Sequence, residues 1–220
     1  MKVIGIAGSP REKSNSLYYL MCALEEIEKA GIKTEVITLR DKKIEPCSAC
    51  YDCRETRHCT INDDFGEIFD KMIAAEGIIL STPVYVSSIT APLMSVLQRS
   101  AFVAHWGGKM LMGKVGGPIT VAQRAGQNMA LSQMLMWYFF NGMTVPGSIY
   151  WNVCVAGTRG ARDPENDEIG IQTLRAFGKN MSGVMEKNIC LELCLKESIY
   201  AHATGRNRIM VEIPGDRNTG

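Results

Sequence analysis

The chain has 220 residues, 46% apolar and 21% charged, enough to bury one sizeable core as a single domain and far from a disordered composition. Its 24 Lys and Arg stand against 23 Asp and Glu, a net charge of +1 with no basic block, which argues against a nucleic-acid partner. No apolar run approaches the roughly 18 residues of a membrane helix, and the apolar start at 3–8 is too short for a signal segment, so a cytoplasmic protein with no membrane partner is expected.

Residues 2–8, KVIGIAG, are a short β-branched run ending in Gly, the pattern of a buried parallel strand. Residues 16–30 carry apolar side chains at helical spacing and stop at Gly31; 33–39 then read as a second strand, completing a βαβ unit. A long connection, 40–62, precedes a helix opened by Asp63 and Asp64 and ending near Gly77. GIILST at 77–82 is a third strand, 83–90 a loop, and 91–104 a helix with Pro92 in its first turn. A strand at 114–122, a helix at 127–140 and a strand at 148–156 follow, then an amphipathic helix from about 167 to at least 185, continuing towards Cys194. This alternation predicts an α/β fold with a doubly wound, five-stranded parallel sheet and a cysteine-rich loop, 44–62, inserted after the second strand. The expected organisation is one domain over 1–200 and a polar tail over 201–220.

In such a sheet, ligands sit beyond the carboxyl ends of the strands, at the point where strand order reverses. The loop after the first strand, GSPREKSNS at 8–16, offers the hydroxyls of Ser9, Ser14 and Ser16, the amide of Asn15, the charge of Arg11 and a helix N-terminus, a set suited to a phosphate. It is neither GxGxxG nor a loop ending in Lys-Ser/Thr, so dinucleotide and nucleoside triphosphate readings lose ground. The competing reading is a plain polar turn with Ser14 or Asn15 as helix cap. Two further loops share that sheet edge. Thr82-Pro83-Val84-Tyr85 follows the third strand, and a turn with Gln123, Arg124 and Gly126 follows the fourth; together they can wall a flat aromatic ligand.

Four of the eight cysteines, Cys47, Cys50, Cys53 and Cys59, fall within thirteen residues at C-x2-C-x2-C-x5-C spacing. In a reducing compartment such a group favours metal binding or redox chemistry over disulfides. A [4Fe-4S] cluster takes four closely spaced thiolates, and the first three have ferredoxin spacing, although the five-residue gap before Cys59 departs from it. Four thiolates also suit tetrahedral zinc, and unmetallated thiols remain a third reading. His58 reads as a solvated loop residue. Cys22, Cys154, Cys190 and Cys194 read as small buried hydrophobes. The segment MLMWYFF, 134–140, is apolar all round if helical and fits a subunit contact.

Taken together, GSPR and SNS, TPVY, GKVGGPITVAQRAGQ and the compact cysteines with their following acidic pair resemble the flavodoxin-like iron-sulfur flavoproteins, within the wider NAD(P)H-dependent FMN reductase group, over residues 1–185. The resemblance implies FMN, its phosphate on Ser9, Arg11, Asn15 and Ser16 and its ring against Pro83, Val84, Tyr85 and the turn at 123–126. It also implies one [4Fe-4S] cluster on Cys47, Cys50, Cys53 and Cys59, in a homodimer or homotetramer where the cluster of one subunit approaches the FMN of another. The implied activity passes electrons from ferredoxin or NAD(P)H to a small-molecule acceptor such as a quinone or an oxygen species. No side chain is needed as a catalytic acid or base; Tyr85, Arg124 and His105 are candidates for proton delivery or substrate binding, with packing or surface roles as the favoured reading. The alternatives are a flavin electron carrier with no committed substrate, and a flavin reductase whose cysteine loop holds zinc or no metal.

Overall fold

Alternation along the strands explains the two-faced core. In β1 (Lys2–Ala7), Val3 and Ala7 turn to one side of the sheet and Ile4 and Ile6 to the other, and all four are at most 2% exposed. A computed structural model describes residues 1–155, 157 and 163–187. With β2 (Lys33–Thr38), β3 (Gly77–Pro83), β4 (Val115–Ala122) and β5 (Val153–Val155), β1 forms a five-stranded sheet in the order β2-β1-β3-β4-β5. Every pairing is parallel. The chain leaves β1 in one direction to reach β2 and in the other to reach β3, so the crevice expected at a reversal of strand order opens between the loops after β1 and β3.

Helices α1 (Asn15–Lys29) and α6 (Glu168–Lys187) cover one face, packing Tyr19, Leu20, Leu24, Ile27, Phe177 and Met181 on Val3 and Ile79. The other face carries α3 (Phe65–Ala74), α4 (Ala91–Trp106) and α5 (Gln127–Phe140), with Phe65, Met72, Leu93, Val96, Trp137 and Tyr138 packed on Ile4 and Ile78. Fully burying each such side chain contributes about 1.5–3 kcal/mol. A Cβ at Gly116 would lie 1.9 Å from Ile78 O of β3 and 3.0 Å from the Tyr138 ring of α5, and the Tyr138 hydroxyl sits 3.0 Å from both Ile78 O and Gly117 O. Cys22 and Cys154 are buried in the α1/α6 core, and burial pushes both thiols up, as expected of small hydrophobes.

One expectation needs correction and two gain detail. Among the described residues the last strand is Val153–Val155 and begins later than the 148 expected, because Ser148 bonds its hydroxyl to Tyr150 O and to Asn152 Oδ1 (2.8 Å), a local turn that competes with a sheet ladder. The connection after β2 is not wholly irregular: α2 (Cys53–Thr56) makes one helical turn inside it and stops at Arg57, which takes the left-handed conformation (φ 59°). The acidic pair does more than open α3. Asp64 makes no side-chain cap and instead binds Lys42 Nζ and the Lys43 N–H, while Asp63 caps the Phe65 N–H and reaches back across the loop. The continuation of the last helix towards Cys194, Cys190 itself and the tail lie outside the described residues.

Candidate functional site

The loop after β1 is held from below by β3 and the start of α4. Gly8 N–H donates to Ser81 O (2.8 Å), Thr90 Oγ1 donates to Gly8 O (2.8 Å), and Ser81 Oγ donates to Ser16 O (2.7 Å). Ser14 caps α1, accepting the Leu17 N–H at 3.1 Å, and its hydroxyl lies 3.2 Å from that of Ser16. Ser9 accepts the Arg11 N–H at 3.2 Å, which curls the loop. The first turn of α1 contains no acidic residue, so nothing opposes an anion at its N–H groups. Ser9, Arg11, Ser14, Asn15 and Ser16 all line one open hollow.

Pro83, Val84, Tyr85, Val121, Ala122, Gln123 and Gly157 complete its lining. Tyr85 and Ser88 pair across a tight turn through mutual backbone bonds of 2.9 and 3.0 Å, which forces Val86 (φ 50°) and Ser87 (φ 62°) into the left-handed region. For a β-branched residue this is costly, so the turn is held from outside by Gln133 of α5, which accepts the Ile89 N–H at 3.1 Å. Gly126 (φ 91°) makes room beside it: a Cβ there would stand 2.9 Å from Ser87 Oγ. Three expected residues do not line this hollow. Thr82 is buried and turned inward, its hydroxyl donating to Pro83 O (2.9 Å); Gly126 packs behind the turn; Arg124 stands exposed at the rim loop. His105 lines neither this hollow nor the next; it packs on Trp106, Phe140 and Lys109.

The cysteines make a second hollow. Cys47, Cys50, Cys53 and Cys59 all line one mostly apolar hollow, together with Ile61, Phe102 and Val103. Burial pushes the Cys53 thiol up against a backbone hydrogen bond that lowers it, and the thiols of Cys50, Cys59 and Cys47 add to the rise, so all three lie within electrostatic reach of Cys53. The five-residue gap is taken up by the α2 turn and the left-handed Arg57, which bring the chain back so that Thr60 Oγ1 sits 4.0 Å from Cys50 Sγ and 3.0 Å from Asp52 Oδ2. His58 is exposed and places its ring Nδ1 2.8 Å from Thr56 O, away from the hollow lining. Among the described residues no three His, Cys, Asp or Glu side chains group as ligands of a single ion.

Arg99 and Asp63, which sequence reasoning missed, underpin this hollow. Each side chain is 1% exposed, and the guanidinium grips the carboxylate with both arms, at 2.6 and 2.9 Å. Arg99 also donates to Glu45 O (3.0 Å), to Ile61 O (3.4 Å) and to Cys59 Sγ (3.2 Å), and lies 4.1 Å over the Phe65 ring. Asp63 accepts the Glu45 N–H (2.8 Å). Burial raises its carboxyl, but Arg99 and the N–H groups of Glu45 and Phe65 outweigh this and hold it below the usual carboxylate range. Burial likewise opposes the Arg99 charge, yet Asp63 and Cys59 more than restore it. The available signal was Arg99 sitting three residues after Val96 and four before Val103, a charge inside the apolar stripe of a helix. Among the described residues, the two hollows share no lining side chain.

A parallel sheet of this strand order, with an anion-suited helix start and an aromatic-walled crevice at the point of reversal, defines a flavodoxin-like α/β protein. The NADPH-dependent FMN reductase family profile matches residues 1–158, and the chain belongs to that family, a family of flavin-dependent oxidoreductases. It is 38% identical over 191 residues to an iron-sulfur flavoprotein of Methanocaldococcus jannaschii, covering 84% of this chain and 98% of that one. An iron-sulfur flavoprotein of Methanosarcina thermophila is 32% identical over 194 residues, covering 84% and 96%. Among solved structures, RosB with bound 8-demethyl-8-formylriboflavin-5'-phosphate superposes with a TM-score of 0.68 at 19% identity, covering 100% of this chain and 95% of that one. The NAD(P)H:quinone oxidoreductase of Methanothermobacter marburgensis gives 0.60 at 18% identity, covering 82% and 98%. No described helix is long and apolar enough to cross a membrane.

Proposed function

We propose that the protein is a cytoplasmic oxidoreductase that holds FMN in the hollow of Ser9, Arg11, Ser14, Asn15, Ser16, Pro83, Val84, Tyr85 and Gln123, and a [4Fe-4S] cluster on Cys47, Cys50, Cys53 and Cys59. Electrons pass between a donor, ferredoxin or NAD(P)H, and a small-molecule acceptor such as a quinone or an oxygen species. The observation that carries the reading is the arrangement of four thiols from one stretch around one apolar hollow, with a buried Arg N–H on one of them. A cluster is a body of several atoms whose thiolate ligands stand around it, and hydrogen bonds to sulfur are a usual means of setting its potential. The flavin hollow fits in the same way. Hydroxyls, a helix start and Arg11 suit a doubly charged phosphate, and Pro83, Val84 and Tyr85 offer a flat apolar wall.

FMN would supply the exchange between hydride chemistry and single-electron transfer. The chain's own work is binding and shielding: the α1 N–H groups and serines fix the phosphate, the strained 85–88 turn presents Tyr85, and Gln123 completes the lining. The full reading takes 1–200 as one FMN-binding domain, with the loop 44–62 as its cluster-bearing insertion and 201–220 as a tail.

The same reading makes the protein a homodimer or homotetramer. Its support is an apolar face on α5 and the loop after it, where Met136, Phe139 (81% exposed), Phe140, Ile149 and Trp151 stand out to solvent. Separate hollows within one chain accord with electron exchange between subunits.

The deciding experiment is anaerobic purification with an absorption spectrum, flavin extraction and metal analysis. A brown protein with one FMN and about four irons per chain is expected. A yellow protein containing zinc would sink the cluster and leave a flavin reductase with a structural metal. Stopped-flow reduction by ferredoxin and by NAD(P)H, followed by turnover with quinones and oxygen, separates an enzyme from an electron carrier without a substrate.

A further inference from the structure

The four cysteines are not equivalent. Cys47, Cys50 and Cys53 follow each other at short intervals, whereas Cys59 comes after a helical turn and a left-handed residue, and it is the sulfur that the Arg99 guanidinium reaches. From α4, the arm that donates to Cys59 Sγ at 3.2 Å also donates to Asp63 Oδ1 and Ile61 O, while the other holds Glu45 O and Asp63 Oδ2. One side chain thus joins the entry of the loop, its exit and its last thiol.

We propose that Arg99 is the positioning residue of the cysteine centre: it fixes Cys59 as the fourth ligand and, through its N–H···S bond, raises the reduction potential of the cluster held there. The proposal rests on the cluster reading above. Reduction of such a cluster adds one electron, supplied by the flavin or an external donor, and no proton need accompany it. The thiolate sulfurs therefore become more negative, and a donor aimed at one of them stabilises the reduced form more than the oxidised one. Asp63 offsets most of the guanidinium's charge at long range, so the effect is short-ranged and falls on Cys59 through the bond itself. Burial keeps that bond strong because no water competes for the donor: Arg99 is 1% exposed. Lysine could supply a charge but not the fork that serves Glu45, Asp63 and Cys59 together.

The test compares the wild-type protein with Arg99→Lys and with the paired variant Arg99→Gln, Asp63→Asn, which leaves no lone charge in the core should the single variant fold poorly. Each is measured for bound FMN, iron per chain, iron lost to a chelator, and cluster midpoint potential by redox titration followed by electron paramagnetic resonance. Both variants should keep FMN, lose iron about 10- to 100-fold more readily, and show a more negative midpoint for the cluster that remains. Full iron retention with an unchanged midpoint overturns the proposal. So does faster iron loss with an unchanged midpoint, which would leave Arg99 as packing alone. A wild-type protein without iron refutes the underlying cluster reading instead, and Arg99 is then judged by hydrogen exchange in residues 44–62. Faster exchange in Arg99→Lys supports the anchoring, and equal exchange overturns it.

Discussion

The flavin hollow draws on loops after β1, β3 and β4 and on Gly157, whereas the cysteine hollow comes from the single stretch 47–61 closed by Arg99, Phe102 and Val103 of α4. In the first, each loop leaves a strand whose neighbours already hold it in register, and several cross-bonds (Gly8 to Ser81, Thr90 to Gly8, Ser81 to Ser16) tie the loops together. In the second, the buried Arg99–Asp63 pair pins the loop to α4, helped by Asp64 on Lys42 and the Lys43 N–H and by Tyr51 edge-on to Phe102. A site shared among sheet loops should degrade by degrees, while a loop pinned chiefly by one buried pair should be more sensitive to a single substitution.

Substitutions should break that contrast in a graded order. Cys59→Ala should abolish iron binding while leaving FMN in place, checked by metal analysis and flavin absorbance; retained iron would show the ligand set to be wrong. Asp63→Ala leaves a buried guanidinium unpaired and should lower stability by about 3–5 kcal/mol in urea unfolding, with iron content falling further than FMN affinity. Acid should act on the same pair. The Asp63 carboxyl titrates below its unfolded value near pH ~3.9, so its contribution is present above that pH and is lost as pH falls through the lower folded value. Circular dichroism and metal release followed from about pH 5 downward should therefore show the cysteine loop yielding before the sheet.

The flavin side should respond more mildly. Gly126→Ala places a Cβ at φ 91° beside Ser87 and should cost about 1–3 kcal/mol while weakening FMN binding, with iron unchanged. Ser14→Ala removes the α1 cap and should cost about 1 kcal/mol in thermal unfolding, with a several-fold weaker FMN affinity by fluorescence quenching. A loss of iron as large as the loss of FMN in either variant would show the two hollows to be coupled within one chain.

Much of this architecture was legible beforehand. The runs at 2–8 and 77–82 read as strands because buried parallel strands are short, β-branched and bounded by Gly or polar turns; 33–39, a half-exposed edge strand in the sheet, reads as the strand that completes the βαβ unit, and the helices between them read from their 3.6-residue spacing. The run at 148–156 misled because its aromatic and β-branched composition suits a strand, while Ser148 closes a local turn that leaves Ile149, Tyr150 and Trp151 exposed. Of the flavin-side residues, those on the β1 loop and the Pro83–Tyr85 wall come together around one hollow; Thr82, Arg124 and Gly126 do not line it, since backbone direction at a loop decides which side chains face inward.

By itself the sequence determined the alternation of strands and helices, the sheet edge where ligand loops gather, and the cluster of four thiols, since each follows from local periodicity or spacing within a few dozen residues. Only the tertiary structure decided that Cys59 returns to the other three across a helical turn, that the cysteine hollow is separate from the flavin hollow, and that Arg99 stands behind it. The physical reason is distance along the chain. Arg99 and Asp63 lie 36 residues apart, on a helix face and at a loop end, and nothing in either local pattern specifies that the two charges meet. Their pairing exists because the α3/α4 face of the sheet buries both at one point, where neither would be tolerated alone.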